Sequence, residues 1–209
     1  MIKRPNNWNE VQEFTERAKL PVGAYVCRIK KAVCQSNDYG DQLCLLFDII
    51  EGEHKDFFQK DFNANTQQDK KWKGVLRLFL PKDDGSEKDE WTKSTFKGMV
   101  TSVEKSNPGY VWNWDENTLA GKVIGILFRN EEWEYDGKTG WTARPFRAMS
   151  VDTVRSGDYQ LPKDKPKKRD TIAADAGFGN YGGYGNSYGN YPAPGSFVDL
   201  PDSDGDFPF

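Results

Sequence analysis

Basic and aromatic residues recur together along the 209-residue sequence, a combination suited to contact with single-stranded nucleic acid. Lysine and arginine neutralise backbone phosphates, and flat rings give unpaired bases a surface on which to stack. Each stacked base contributes about 1–3 kcal/mol, so a few rings can dominate a short binding site. The candidate stacking residues are Tyr39, Phe57, Phe58, Trp133, Tyr135 and Trp141. The candidate phosphate contacts are Arg28, Lys30, Lys60, Arg129, Lys138, Arg144 and Arg147.

Trp133, Tyr135 and Trp141 surround a sequence turn and are the best candidates among the rings. Core packing is an equal alternative for any single ring on a strand, but a core ring would be out of place beside charged residues and a turn. Three glutamates would repel phosphates if they faced the same groove: Glu131, Glu132 and Glu134. Strand alternation directs Glu132 and Glu134 away from the face of Trp133 and Tyr135, which weakens this objection.

The last eleven residues, Asp199–Phe209, form a second candidate site. A terminal ring beside a free α-carboxylate can enter a small apolar pocket rimmed by Arg or Lys. Acidic residues add attraction to a basic partner surface, and salt weakens that attraction. The residues expected to contact a partner are Asp202, Asp204, Asp206, Phe207, Pro208 and Phe209. The alternative is a disordered acidic tail that only aids solubility, but such a tail does not need to end in Phe-Pro-Phe.

This ending resembles the C-terminal tip of bacterial single-stranded DNA-binding proteins (SSB), in which several Asp precede a hydrophobic residue, Pro and a terminal Phe. Phe207 stands where the bacterial tip usually has Ile, and Ser203 and Gly205 interrupt the Asp run. The longer body, with extra helices, is more similar to the SSB-like proteins of bacteriophages. The resemblance implies a body that coats single-stranded DNA. It also implies a tip that recruits replication, recombination and repair proteins and competes weakly with DNA.

The elements that would position these residues can be predicted from hydrophobic periodicity. Strands are expected at Gly23–Cys34, Gln42–Ile50 and Asp56–Phe62, and a hairpin at Lys122–Tyr135 and Gly140–Val151. Helical spacing joins Trp72, Val75, Leu76 and Phe79, and again Phe96, Met99, Val100 and Val103. Three strands, helices and two strands predict a mainly β protein built on a five-stranded OB-type barrel, with a helical insertion between strands three and four. An SH3-like barrel or a generic α+β sheet fits this order less well.

Composition divides the chain into four parts. Residues 1–19 are expected to form an N-terminal helical extension, and residues 20–160 the single-stranded DNA-binding domain. Residues 161–198 are a basic and then Gly/Tyr/Asn-rich linker, expected to be disordered, and residues 199–209 are the acidic tip. Six Asp and no Lys or Arg lie beyond Arg169, so the first 169 residues carry a net charge of +3 although the whole chain carries −3.

Other classes of function find little support in the sequence. A single histidine, His54, leaves little material for nucleophilic catalysis, so we expect no catalytic residues. Cys27, Cys34 and Cys44 lack the Cys-x₂₋₄-Cys spacing of structural zinc, so we expect neither a metal nor another cofactor. The sequence shows no run of about 18 apolar residues and no signal-peptide pattern, so we expect no membrane contact and a cytoplasmic protein of a bacterial or phage-infected cell.

Two interpretations of the whole chain stay open at this point. In the first, the body binds single-stranded DNA and the tip recruits partner proteins, with assembly into a homo-oligomer also compatible. In the second, the protein is an adaptor whose barrel binds another protein, and whose SSB-like tail recruits or diverts replication factors. Only the first predicts salt-dependent affinity for oligonucleotides.

Overall fold

A computed structural model of the chain describes residues 2–10 and 18–167. The predicted N-terminal helix falls mainly on residues 11–17, outside the described residues. The Gly/Tyr/Asn-rich linker and the acidic tip also lie outside them. The prediction of a disordered linker and the proposed role of the tip therefore stay predictions.

Five antiparallel strands form one open sheet in the order β3-β2-β1-β4-β5. The strands are β1 Ala24–Asn37, β2 Gly40–Ile49, β3 Val75–Phe79, β4 Val123–Tyr135 and β5 Lys138–Met149. The helices are α1 Phe57–Ala64, α2 Glu87–Ser106 and α3 Val151–Ser156, with a 3₁₀ turn at Glu116–Leu119. The prediction of a mainly β chain with five strands, and with a helix between strands three and four, is confirmed at this level.

The prediction for the third strand is wrong. Residues 56–62 lie mostly in α1, while residues 75–79, predicted to be helical, form β3 and pair with β2. Phe58 and Phe62 are four residues apart, which places both on one side of α1. Gly74 is needed before β3, because a Cβ there would collide with the Phe47 carbonyl oxygen and lie 2.8 Å from the Phe58 ring.

The core lies between the inner face of the sheet and helices α1 and α2. Phe47 and Phe58 pack edge to face with 5.4 Å between ring centroids, and Phe128 stacks on Phe58 at 6.3 Å. Met99 and Val103 of α2 are fully buried in the same cluster. The helical spacing predicted for Phe96, Met99, Val100 and Val103 is therefore confirmed.

The two edge strands of the sheet, β3 and β5, approach each other to within 8 Å between Cα atoms. The sheet is thus strongly curved, and it is open because β3 and β5 are not neighbours in the hydrogen-bonded order. Among the described residues, the structure contains no helix both long and apolar enough to cross a membrane.

Candidate nucleic-acid interface

The β4–β5 hairpin extends well beyond the body of the sheet. β1 pairs with β4 only as far as Leu127, whereas the β4–β5 ladder continues to the pair Tyr135–Lys138. A two-residue turn, Asp136-Gly137, closes the hairpin, and both turn residues have positive φ, 49° and 70°. The outer part of the hairpin is therefore a two-stranded ribbon with two faces.

One face of this ribbon, which we call the Trp133 face, combines rings with cations. Directly paired residues of an antiparallel ladder share a face, so the pairs of β4 and β5 define its members. They are Arg129 with Arg144, Glu131 with Thr142, Trp133 with Gly140, and Tyr135 with Lys138. Arg144 and Lys138 are exposed, and so are Trp133 at 40% and Tyr135 at 79% of their surface.

Trp133 lies flat across the neighbouring strand because its partner has no side chain. A Cβ on Gly140 would be 2.6 Å from the Trp133 ring, closer than van der Waals contact allows. Gly140 therefore supports the ring from below and leaves its outer surface open. A flat, supported and exposed ring is the geometry that base stacking requires.

Arg129 is not on the surface, although the sequence predicts a phosphate contact there. It is only 9% exposed, its guanidinium lies 4.4 Å over the Phe146 ring, and it donates a hydrogen bond of 2.7 Å to Glu131 Oε1. Its charge neutralises Glu131, the one glutamate on the Trp133 face. The role of Phe146 was not predicted from sequence; it sits at a β-bulge between the pairs of Leu127 and Phe128.

The opposite face of the ribbon, which we call the Trp141 face, is acidic. Glu132 and Glu134 point to this side, as strand alternation predicts, and Trp141 pairs directly with Glu132. Trp141 is 44% exposed. The structure therefore separates the three rings that the sequence groups together, with two on the cationic face and one beside the glutamates.

A second group of predicted residues lies where β1, β2 and α1 meet. Arg28 and Lys60 are exposed, whereas Phe57 is half-buried against His54 and Phe58 is buried in the core. Stacking needs an accessible ring, so Phe58 is not available to a base. Lys30 already has partners within the protein, since its Nζ donates to Gln59 Oε1 at 2.6 Å and lies 4.4 Å above the Trp72 ring.

Asp48 organises this junction, and nothing in the sequence singles it out. Its buried carboxylate accepts hydrogen bonds from the N–H groups of Ile49, Phe58 and Gln59 at 2.9, 3.0 and 3.0 Å. Two of these donors belong to the first turn of α1, so Asp48 caps the helix from a neighbouring strand. Burial raises the pKa of the Asp48 carboxyl, although the three N–H donors and Lys30 act in the opposite direction.

Two predicted residues remain, Tyr39 and Arg147. Tyr39 is half-exposed at the turn between β1 and β2. Arg147 lines a shallow cleft with Lys105 of α2.

Trp112 and Trp114, two rings in the segment between α2 and β4, differ from each other. Trp112 is buried and donates from Nε1 to the Asp115 carbonyl at 2.9 Å, so it closes one end of the core. Trp114 is 72% exposed with φ 67° and stacks on Phe96 in a cleft that is also lined by Glu116 and by the ion pair of Asp83 with Lys93.

Cys27 and Cys44 are buried and Cys34 is exposed, and all three are free thiols. Burial raises the pKa of the Cys27 and Cys44 thiols, which disfavours the thiolate form that binds metal. Within residues 2–10 and 18–167, no cluster of three or more His, Cys, Asp or Glu side chains could hold a metal ion.

Comparison of the sequence with models of known protein families finds none that matches, and comparison with curated proteins finds no match.

Proposed function

We propose that this chain is an SSB-like protein whose body binds and coats single-stranded DNA and whose acidic tip recruits partner proteins. The observation that carries the proposal is the Trp133 face. It presents two exposed rings, Trp133 and Tyr135, beside two exposed cations, Lys138 and Arg144. The one glutamate on this face is neutralised by Arg129. Rings for bases and cations for phosphates, held on a rigid ladder, are what sequence-independent binding of a single strand needs.

The strand order supports an OB-type barrel as the body. An OB barrel has five strands in Greek-key order with a partly open wall, and its loops and strand faces bind oligonucleotides. Here α2 enters between β3 and β4, and closing the sheet would require β3 to meet β5. Those strands already come within 8 Å of each other.

The direct test is a titration of the full-length protein with oligo-dT, followed by quenching of tryptophan fluorescence across a series of salt concentrations. We expect quenching, a mobility shift, and affinity that falls as salt rises, with a slope of about −0.7 per phosphate neutralised. A duplex of the same length is the control and should bind more weakly. Failure of oligo-dT to quench fluorescence or shift mobility would refute DNA coating and favour the adaptor interpretation.

A second test concerns the tip, and deletion of Asp199–Phe209 is the relevant change. We expect DNA affinity to stay equal or to rise, because an acidic competitor for the cationic surface is removed. Binding of partner proteins should be lost. The matched control keeps the Asp residues and deletes only Phe209, which separates the anchor from the charge. A marked loss of DNA affinity on deleting the whole tip would contradict its proposed role.

A further inference from the structure

The basic segment that begins at residue 163 pairs with the folded body in the part of the chain that the structure describes. Residues 163–167, which we call the strap, run parallel to the outer edge of β4. Lys165 donates its N–H to the Asn130 carbonyl at 2.9 Å and accepts the Glu132 N–H at 2.9 Å. The edge of β4 that β1 leaves uncovered beyond Leu127 thus pairs with the chain's own basic segment.

The composition of the strap suits an edge position. Pro162 comes just before the strap, and Pro166 directly follows Lys165. Neither proline has an N–H, so neither can donate a hydrogen bond to a further strand. Proline also favours the extended backbone that the pairing requires. The segment therefore pairs with β4 on one side and discourages strand addition on the other.

The strap also reaches the two acidic residues of the Trp141 face. The Lys167 backbone N–H donates to Glu132 Oε2 at 3.1 Å, and the Lys167 ammonium lies 3.6 Å from Glu134 Oε2. With Arg129 paired to Glu131, each of the three glutamates that would repel a DNA strand has a neutralising or hydrogen-bonding neighbour.

The net charge of the hairpin surface depends on the pairing of the strap with β4. Residues 129–147 contain four basic and four acidic side chains and are neutral by themselves. The strap adds three lysines and one aspartate, so the assembled surface carries +2. The parallel register places Lys165 opposite Glu131, which puts its side chain on the side of Trp133.

We infer that the strap is part of the DNA-binding surface: its pairing with β4 masks Glu132 and Glu134 and makes an otherwise neutral hairpin cationic. The inference rests on the proposed function, because it assigns further residues to that interface. It changes the domain boundary as well, since Lys163, Lys165 and Lys167 then belong to the binding body rather than to the linker.

The first experiment is a double-mutant cycle in the full-length chain, with oligo-dT affinity as the readout. Lys167→Gln should weaken binding about twofold to fivefold at low salt, the range expected for one exposed charge. Lys167→Gln combined with Glu134→Gln should regain most of that loss, because the unmasked glutamate is gone. Lys97→Gln, which removes an exposed lysine of α2, is the matched control and should change affinity less.

The second experiment separates the backbone pairing from the charge. Lys165→Pro removes the N–H that bonds to Asn130, whereas Lys165→Gln removes only the charge. We expect Lys165→Pro to lower affinity and the salt slope more than Lys165→Gln, since the whole strap detaches. Amide hydrogen exchange without DNA gives an independent readout. The Glu132 amide should be protected in the natural chain and in Lys165→Gln, and should exchange faster in Lys165→Pro.

The outcomes distinguish the two proposals. If the natural chain does not bind oligo-dT, the proposed function fails, whatever the exchange of the Glu132 amide. If it binds oligo-dT but Lys167→Gln and Lys165→Pro match Lys97→Gln, the strap inference is overturned while the proposed function stands. An unprotected Glu132 amide in the natural chain would also overturn the inference.

Discussion

At the junction of β2 and α1 an aspartate and two phenylalanines are enclosed, whereas on the β4–β5 hairpin two rings and two cations face outward. The enclosed Asp48 accepts three N–H bonds, and Phe47 and Phe58 pack against each other. On the hairpin, the Trp133 ring lies against Gly140, and 40% of the residue's surface is exposed. Aromatic and charged side chains are therefore enclosed in one region and exposed in the other.

The two regions differ in whether the side chains find their interaction partners within the protein. Groups at the junction are satisfied within the protein, so changing them should cost folding free energy. Groups on the Trp133 face keep one side open, so changing them should cost ligand affinity and little stability. Substitutions in each region test this separation.

The largest expected effect is on stability and comes from Asp48→Ala. The change leaves three N–H donors without their carboxylate in a buried place, and we expect a loss of about 3 kcal/mol in the free energy of unfolding. Urea unfolding is the measurement, with exposed Asp69→Ala as the control. Asp48→Asn should fall between the two, because it retains an oxygen for Ile49 and Phe58 but none for Gln59. A loss of less than about 1 kcal/mol in Asp48→Ala would show that the junction is not organised by this carboxylate.

The next largest effect is on DNA affinity and comes from Trp133→Ala. Loss of a stacking ring should weaken oligo-dT binding by about 1–3 kcal/mol, while the free energy of unfolding changes little. Trp141→Ala is the matched control, since it removes the same side chain from the acidic face of the same ribbon. Equal losses of affinity in the two variants would break the distinction between the faces.

Gly140→Ala should weaken oligo-dT binding less than Trp133→Ala does. The new Cβ would push the Trp133 ring away from β5, because it would lie only 2.6 Å from the nearest ring atom. The ring is retained but displaced, so we expect a loss of affinity below the ~1 kcal/mol lower limit for a missing ring. Fluorescence titration measures it, and the tryptophan emission of the free protein should shift. An unchanged emission and an unchanged affinity would show that Gly140 does not set the ring's position.

The sequence predicts the long elements well, because their hydrophobic patterns are unambiguous. β1, β2 and the hairpin were expected close to where they lie, whereas α2 was expected around Phe96–Val103 and begins about two turns earlier, at Glu87. The short elements α1 and β3 were exchanged because four apolar residues at helical spacing, from Trp72 to Phe79, also fit a strand that is buried on both faces. At residues 57–64 a helix is stabilised by the Asp48 carboxylate, which accepts the N–H groups of Phe58 and Gln59. This contact could not be predicted from the sequence.

The candidate site could be predicted only up to its register. Trp133, Tyr135, Lys138 and Arg144 were expected at an interface, and the structure brings them onto one face. Residues 136–139 were expected to lie outside both strands, whereas the turn is the Asp136-Gly137 pair alone. A four-residue loop would place Trp141 opposite Glu134, and the two-residue turn places it opposite Glu132, so this ring lies on the acidic face in either register. The strap could not be predicted, because its pairing joins residues that are far apart in sequence.

The smallest expected effect concerns Tyr25, a half-buried residue of β1. Burial, the largest cause, raises the pKa of the Tyr25 phenol to about 12 from the usual 10.0, and the ring packs edge to face on Phe128. The folded state therefore holds its proton where the unfolded state releases it, so this contribution to stability is complete below pH 10 and is lost as pH rises toward 12. Tyr25→Phe should lose no more than about 1 kcal/mol near neutral pH, for the hydrogen bond to the Pro21 carbonyl, and should unfold with a shallower pH dependence between pH 10 and 12. Urea midpoints across that pH range measure it. An equally steep decline in Tyr25→Phe would show that burial does not shield this phenol.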